Sequence, residues 1–341
     1  MKKILFYDAK SYDQIWFDQL NTAFEINYIK SKLNEDTAAL ARGYDGVVAF
    51  VNDEINAKTI DVLYQNGIRV IAMRCAGYNN IDFLQAFNKI HVLRVPAYSP
   101  YAVAEYAMAL LLTLNRKIHK AYDRTRTCNF SLDGLVGFDL HGKTIGVIGT
   151  GKIGQIFIDI CRGFGMRVVA YDPHPKECEI EYVSLEELCK VSDVISLHCP
   201  LTKQTHHIIN SQSITQMKDG VMLINTSRGA LIDSEALLKN IKSKKIGGAG
   251  LDVYEEETEL FFEDFSNTII QDDVLSLLLA MPNVIVTSHQ AFLTDEALCN
   301  IARTTLDNLE AFYDDKPLLN EICYQCQLNS TCDKTHSKRC F

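Results

Sequence analysis

Short apolar runs alternate with stretches of helical periodicity along almost the whole chain. In the first hundred residues, the runs at 3–7, 46–50, 70–73 and 92–95 read as strands of a parallel sheet. Further runs at 143–148, 167–171, 193–197, 221–224, 248–251 and 284–286 repeat the pattern, again separated by helical segments. Ser99 and Pro100 open a long helix. Serine suits the N-cap, and proline suits the first turn, where its missing N–H has no intrahelical partner. From Tyr101 to about Tyr122 this helix is apolar on most sides until Asn115, which predicts burial at an interdomain or subunit interface. Residues 294–313 read as a final helix. There is no internal repeat, low-complexity stretch or long polar linker. The pattern predicts an α/β protein built on doubly wound parallel sheets.

One strand-to-helix junction carries a specific signal. Gly149-Thr-Gly-Lys-Ile-Gly154 lies between the run at 143–148 and a segment of helical spacing, and Asp172 stands at the end of the next run. Gly149, Gly151 and Gly154 permit a tight turn, close approach of backbone to a pyrophosphate, and close helix–strand packing. The helix N-terminus then turns its N–H groups and partial positive charge toward the phosphates. Asp172, eighteen residues beyond Gly154, can accept both ribose hydroxyls of NAD and would repel the 2′-phosphate of NADP. Pro173 and His174 follow, with no arginine to receive that phosphate. NAD is the expected cofactor.

Composition narrows the partners. The net charge of −9 argues against nucleic acid. The longest apolar stretch, residues 107–114, is far short of the roughly 20 needed to span a bilayer. Met1-Lys-Lys begins like an export signal, but Asp8 interrupts the apolar run, so a cytoplasmic protein is expected. Seven of the 11 cysteines are scattered as reduced thiols would be. The other four, Cys323, Cys326, Cys332 and Cys340, crowd the C-terminus with His336 nearby. Their spacing leaves three readings open: a metal or cluster, redox-active thiols, or an inert tail. It is not a firm ligand pattern, and no metal site is assigned. His198, His206 and His207 fall near the expected cofactor cleft and are likewise not assigned to a metal. Glu263, Asp264, Asp272 and Asp273 read as a solvated acidic loop.

Three residues of complementary chemistry stand just past predicted strands, at the edge where open parallel sheets bind ligands. They are Arg228, Glu257 and His289. Reduction of a 2-oxo acid places negative charge on the carbonyl oxygen. Arginine can grip the carboxylate with paired N–H bonds and polarise that carbonyl. Histidine can give the proton that the new alkoxide needs. A glutamate on the other ring nitrogen fixes the tautomer and favours the proton-loaded ring.

The fingerprint, together with Asn225-Thr-Ser-Arg-Gly229, Gly250-Leu-Asp-Val-Tyr-Glu-Glu-Glu257 and Ser288-His-Gln-Ala-Phe292, resembles the D-isomer-specific 2-hydroxyacid dehydrogenase family. Arg74-Cys-Ala-Gly-Tyr-Asn-Asn-Ile-Asp82 and Val95-Pro-Ala-Tyr-Ser-Pro100 extend the resemblance, which covers about residues 1 to 320. It implies an NAD-binding Rossmann domain at 100–298, inserted into a flavodoxin-like substrate domain made of 1–99 and 299–341. Closure of the two domains is expected to exclude water and bring the loop at 74–77 onto the substrate. The resemblance implies that Arg228 binds the substrate carboxylate and carbonyl, that His289 is the acid/base, and that Glu257 pairs with His289. Backbone amides of Ala76 and Gly77 would hold the other side of the carboxylate. Phe50, Tyr98 and Phe292 would wall the substrate side chain, which favours pyruvate over longer 2-oxo acids. Lys152 and Ile153 would contact the pyrophosphate, and Cys199, Pro200, Thr226, Ser227, Arg228 and Asp252 would line the cofactor cleft. A homodimer or homotetramer is implied.

Overall fold

Five strands, β1 (Lys2–Phe6), β2 (Phe24–Tyr28), β3 (Gly46–Ala49), β4 (Val70–Met73) and β5 (His91–Leu93), form one parallel sheet in the order 2-1-3-4-5. Seven more form a second, all-parallel sheet. They are β6 (Thr144–Ile148), β7 (Arg167–Tyr171), β8 (Glu181–Tyr182), β9 (Val194–Leu197), β10 (Val221–Asn225), β11 (Ile246–Leu251) and β12 (Val284–Val286). Their order is 12-11-10-9-6-7-8, so the chain leaves β6 in both directions and the topological switch lies between β6 and β9. In this computed structural model residues 1–175, 179–257, 260–322 and 339–341 are described. The chain divides into two compact units, Met1–Ser99 with Leu293–Phe341, and Pro100–Phe292.

The first unit closes around Ile4, Phe6, Phe17, Val48 and Val70. The last helix, α11 (Asp295–Tyr313), returns to this core and buries Ala302, Leu306 and Leu309 in it. Thr294 caps α11 by accepting the Ala297 N–H, as the serine-or-threonine rule for helix starts requires. In the second unit, α4 (Pro100–Arg116) buries Ala104, Ala107, Leu111 and Leu114 among Ile145, Val147 and Ile224 of the sheet and Phe157 of α6 (Lys152–Gly163).

The structure departs from the pattern reading in places. The long helix does not run on to Tyr122. It breaks at Lys117, which takes a left-handed φ of 52°, and α5 (Ile118–Arg126) follows. The break tracks Asn115, a buried polar residue whose side chain bonds both the carbonyl and the N–H of Phe138 instead of facing solvent. β2 and β8 escaped the reading because they are edge strands, one half-exposed and one only two residues long. The acidic stretch is not simply a solvated loop. Asp272 caps α10 (Asp273–Ala280) and accepts the Tyr254 hydroxyl at 2.7 Å. Among the described residues, no helix is long and apolar enough to cross a membrane. Cys323, Cys326, Cys332 and His336 lie outside the described residues.

Candidate active site

The dinucleotide half is built where β6 meets α6. Gly149 turns with φ 96°, and a Cβ there would lie 2.7 Å from backbone atoms of His198 and Cys199. A Cβ on Gly154 would sit 2.1 Å from the Gly149 carbonyl oxygen. These two positions therefore demand glycine for α6 to seat against the end of β6. At Gly151, the N-cap of α6, a Cβ would meet nothing within 4 Å. That leaves an open cradle before the N–H groups of the first helical turn, which begins with Lys152 and Ile153.

Asp172 follows β7. One carboxylate oxygen accepts the Thr150 N–H at 2.8 Å and the Thr150 hydroxyl at 3.0 Å, and the other accepts the His174 N–H at 2.9 Å. Burial works to raise its pKa, but these donors outweigh burial and hold the carboxyl below its ordinary value. The group is thus ionised and oriented to receive ribose hydroxyls. Thr226, just past β10, is buried with a hydroxyl oxygen that has no partner among the described residues. Cys199 is buried and Pro200 exposed, and the Ser227 hydroxyl donates to the Leu197 carbonyl at 2.9 Å. The open cradle, the ionised acid at the β7 end and the orphaned hydroxyl fit a dinucleotide.

The reactive half lies past the C-terminal ends of three adjacent strands. Arg228 follows β10, Glu257 follows β11 and His289 follows β12. Glu257 Oε1 lies 2.8 Å from His289 Nδ1, and its other oxygen accepts the Tyr254 N–H at 2.9 Å. This leaves His289 Nε2 as the ring nitrogen for a substrate. His289 itself takes a left-handed φ of 53°. Its N–H donates to the Asp252 carbonyl at 2.7 Å. The Asp252 carboxylate, fully buried, accepts the Thr287 hydroxyl and the N–H groups of Gln290 and Ala291. Asp252 therefore braces the turn that carries the histidine, a role that sequence reasoning did not assign.

Arg228 donates to the Ser227 carbonyl at 2.7 Å and makes no ion pair among the described residues. Its turn is tied by Asn225, whose side chain donates to the Arg228 carbonyl and accepts the Ser227 N–H. A half-buried guanidinium without an internal carboxylate is available to an anionic ligand.

The first unit has its own cluster at the end of β4. The backbone N–H groups of Ala76 and Gly77 donate to nothing among the described residues, while the Ala76 carbonyl accepts Arg94 at 3.0 Å. Arg74 stacks its guanidinium 3.9 Å from the centre of the buried Phe50 ring. Its pairing with Asp13 at 3.3 Å and its bond to the Asp8 carbonyl take it away from any phosphate-binding role. Tyr98 is half-buried and held by Asn300 of α11 through its carbonyl; Phe292, half-buried, ends the second unit. His198 does not join the other two histidines. Its Nε2 meets the Ser196 hydroxyl at 2.8 Å and its ring packs on Phe157, and burial lowers its pKa. Asp8, Asp13, Asn225 and Thr150 are the residues the sequence reading missed. Thr150 and Asn225 stand inside the glycine fingerprint and the 225–229 motif, whereas nothing local marks Asp8 or Asp13, whose partner Arg74 lies more than sixty residues away.

A doubly wound sheet with this cradle, acid and histidine–glutamate pair defines a dinucleotide-dependent oxidoreductase. Residues 108–291 match the D-isomer specific 2-hydroxyacid dehydrogenase, NAD binding domain family. The chain is 51% identical over 328 residues to a D-lactate dehydrogenase of Escherichia coli, covering 94% of this chain and 99% of that one. The apo structure of D-lactate dehydrogenase from Escherichia coli superposes with a TM-score of 0.87 at 47% identity, over 94% of this chain and 99% of that one. D-lactate dehydrogenase with NAD+ from Lactobacillus jensenii is similar at a TM-score of 0.80 and 30% identity, over 94% and 99%. The chain belongs to the D-isomer specific 2-hydroxyacid dehydrogenase family, and it is an NAD-dependent oxidoreductase of that family.

Proposed function

We propose that the protein is a D-lactate dehydrogenase that reduces pyruvate to D-lactate. The observation that carries the reading is the pairing of His289 with Glu257 at one strand edge, with Arg228 past a neighbouring strand and in no ion pair among the described residues. Bound NADH supplies the hydride for the carbonyl carbon. Arg228 holds the substrate carboxylate and draws charge toward the carbonyl oxygen. His289 gives the proton from Nε2 to that oxygen, and Glu257 on Nδ1 keeps the ring in the donating orientation. Asp252 and Tyr254 hold the two partners in register through backbone bonds. Ala76 and Gly77 offer N–H groups that donate to nothing among the described residues and suit a carboxylate, and Phe50, Tyr98 and Phe292 are the proposed walls for a methyl-sized side chain.

The substrate is assigned to Met1–Ser99 with Leu293–Phe341 and the cofactor to Pro100–Phe292, so the boundary expected at 298 moves back to the residues before α11. A cytoplasmic setting suits the free thiols of Cys128, Cys161, Cys189, Cys199 and Cys299. A homodimer or homotetramer suits two features of the second unit. One is a groove lined by Tyr101, Met108, Leu112, Ile156 and Ile160; the other is the exposed apolar series Ile118, Tyr122, Phe130, Leu132 and Val136. Light scattering on the purified chain at several concentrations tests the oligomer, and a monomer at all of them refutes it.

The deciding assay follows NADH absorbance with pyruvate, 2-oxobutyrate, phenylpyruvate and hydroxypyruvate, then determines the chirality of the product. The highest kcat/KM on pyruvate, with D-lactate formed, is expected. A larger 2-oxo acid turned over faster moves the substrate and keeps the mechanism. Tight NADH binding with no turnover on any of them replaces the enzyme reading with that of an NAD(H)-sensing protein.

A further inference from the structure

Outside the residues used above, His206, His207 and Glu255 gather on the second unit. The two histidine rings stack with centroids 3.9 Å apart and 29° between planes. Consecutive side chains of an extended segment point to opposite sides. Here His207 adopts φ 49°, and the left-handed turn accompanies two rings lying face to face. The turn is pinned: the Asn210 side chain donates to the His207 carbonyl at 2.8 Å, and the His207 N–H donates to the Ala230 carbonyl at 2.9 Å. His207 Nε2 lies 2.5 Å from Glu255 Oε1. The Glu255 backbone is seated against Gly229, where a Cβ would come within 2.4 Å of the Glu255 nitrogen. One potential ligand atom from each of the three side chains lies within 4.8 Å of the others.

A surface ion pair would account for His207 and Glu255. It leaves His206 unexplained, since this exposed ring stacks on its neighbour and makes no hydrogen bond among the described residues. We propose that His206, His207 and Glu255 form a binding site for a divalent transition metal of the zinc type, with water completing a four-coordinate shell. Tetrahedral ligands on zinc stand about 3.4 Å apart, so entry of the metal parts His207 Nε2 from Glu255 Oε1, now 2.5 Å apart, and draws in the exposed His206 side chain. Ala230, which holds His207, lies two residues beyond Arg228, and Glu255 lies two residues before Glu257. An occupied site therefore restrains both segments that carry reactive groups, and occupancy lowers turnover.

The test is calorimetric titration of Zn2+ into the full chain carrying Cys128→Ser, Cys299→Ser, Cys323→Ser, Cys326→Ser, Cys332→Ser and Cys340→Ser, which removes the clustered C-terminal thiols and the accessible Cys128 and Cys299. His206→Ala is made in the same background, with circular dichroism to confirm folding. One equivalent is expected to bind, with affinity weakened about tenfold or more by His206→Ala. Co2+ should give the visible absorption of a tetrahedral nitrogen–oxygen site in the parent and lose it in His206→Ala. No zinc bound in the serine background, or equal affinity in His206→Ala, overturns the site. This binding arm is independent of which 2-oxo acid is the substrate. In the NADH assay, half-inhibition by zinc should move to about tenfold higher metal in His206→Ala, with metal-free turnover unchanged. Full turnover at saturating zinc overturns the regulatory role.

Discussion

Two arginines follow strands of the two parallel sheets, and the protein treats them in opposite ways. Arg74, past β4, is 2% exposed, paired with Asp13 at 3.3 Å, bonded to the Asp8 carbonyl and laid over Phe50. Arg228, past β10, has one backbone carbonyl for company and no ion pair among the described residues. The first cation is consumed by the fold, because an unpaired charge at that depth would cost several kcal/mol. The second is kept uncompensated, and its turn is braced by Asn225 instead of by a counter-charge. Position after a strand is thus a weak guide to function. What separates a binding arginine from a structural one is whether carboxylates of the same chain already satisfy it.

The comparison can be broken by exchanging the consequences. Arg228→Gln is expected to lower kcat/KM about 10³-fold, equivalent to about 4 kcal/mol, with the denaturation midpoint and NADH affinity nearly unchanged. Stopped-flow kinetics and fluorescence titration check it, and a parallel loss of NADH binding would refute the assigned role. Arg74→Met should do the reverse, costing about 3 kcal/mol of stability in urea unfolding because Asp8 and Asp13 lose their buried partner. The Asp13 carboxyl already sits above its ordinary pKa, chiefly through burial, with Arg74 opposing the rise. Removing the arginine raises it further. A folded-state carboxyl of raised pKa binds more protons than the unfolded chain, so stability falls as pH rises. The Arg74→Met defect should accordingly be smaller at pH 5 than at pH 8, and a pH-independent defect would exclude the carboxylates as its source.

Smaller effects sharpen the same contrast. Glu257→Gln keeps a hydrogen-bonding group on His289 but removes its charge, and kcat should fall on the order of 10²-fold while Tm stays within a few degrees. Thr294→Ala touches no reactive group. It removes the α11 cap and should cost about 1 kcal/mol of stability with kcat unaltered.

Much of this was legible along the chain. Ten of the strands produce apolar runs, because a strand buried on both faces of a parallel sheet has no solvent side to encode. The glycine fingerprint and Asp172 were legible for a related reason: phosphate approach and ribose binding require particular residue types at close spacing. β2, β8 and the break at Lys117 were not, since β2 alternates polar with apolar residues, β8 has only two residues, and the kink answers to Asn115 meeting Phe138. Arg74 illustrates the same limit in the site. Nothing near it in sequence announces Asp8 or Asp13, which lie more than sixty residues away.

The sequence by itself determined the fold class and the glycine fingerprint, and it singled out Arg228, Glu257 and His289 as candidates, because burial periodicity and reactive side-chain types are local properties. Only the tertiary structure decided that Asp252 braces the histidine turn, that Arg74 is paired with a carboxylate while Arg228 has none among the described residues, and that His207 meets Glu255 with His206 stacked beside it. Those facts depend on which strand ends become neighbours. Pairing across tens of residues is set by sheet order and packing, which no short segment of chain encodes alone.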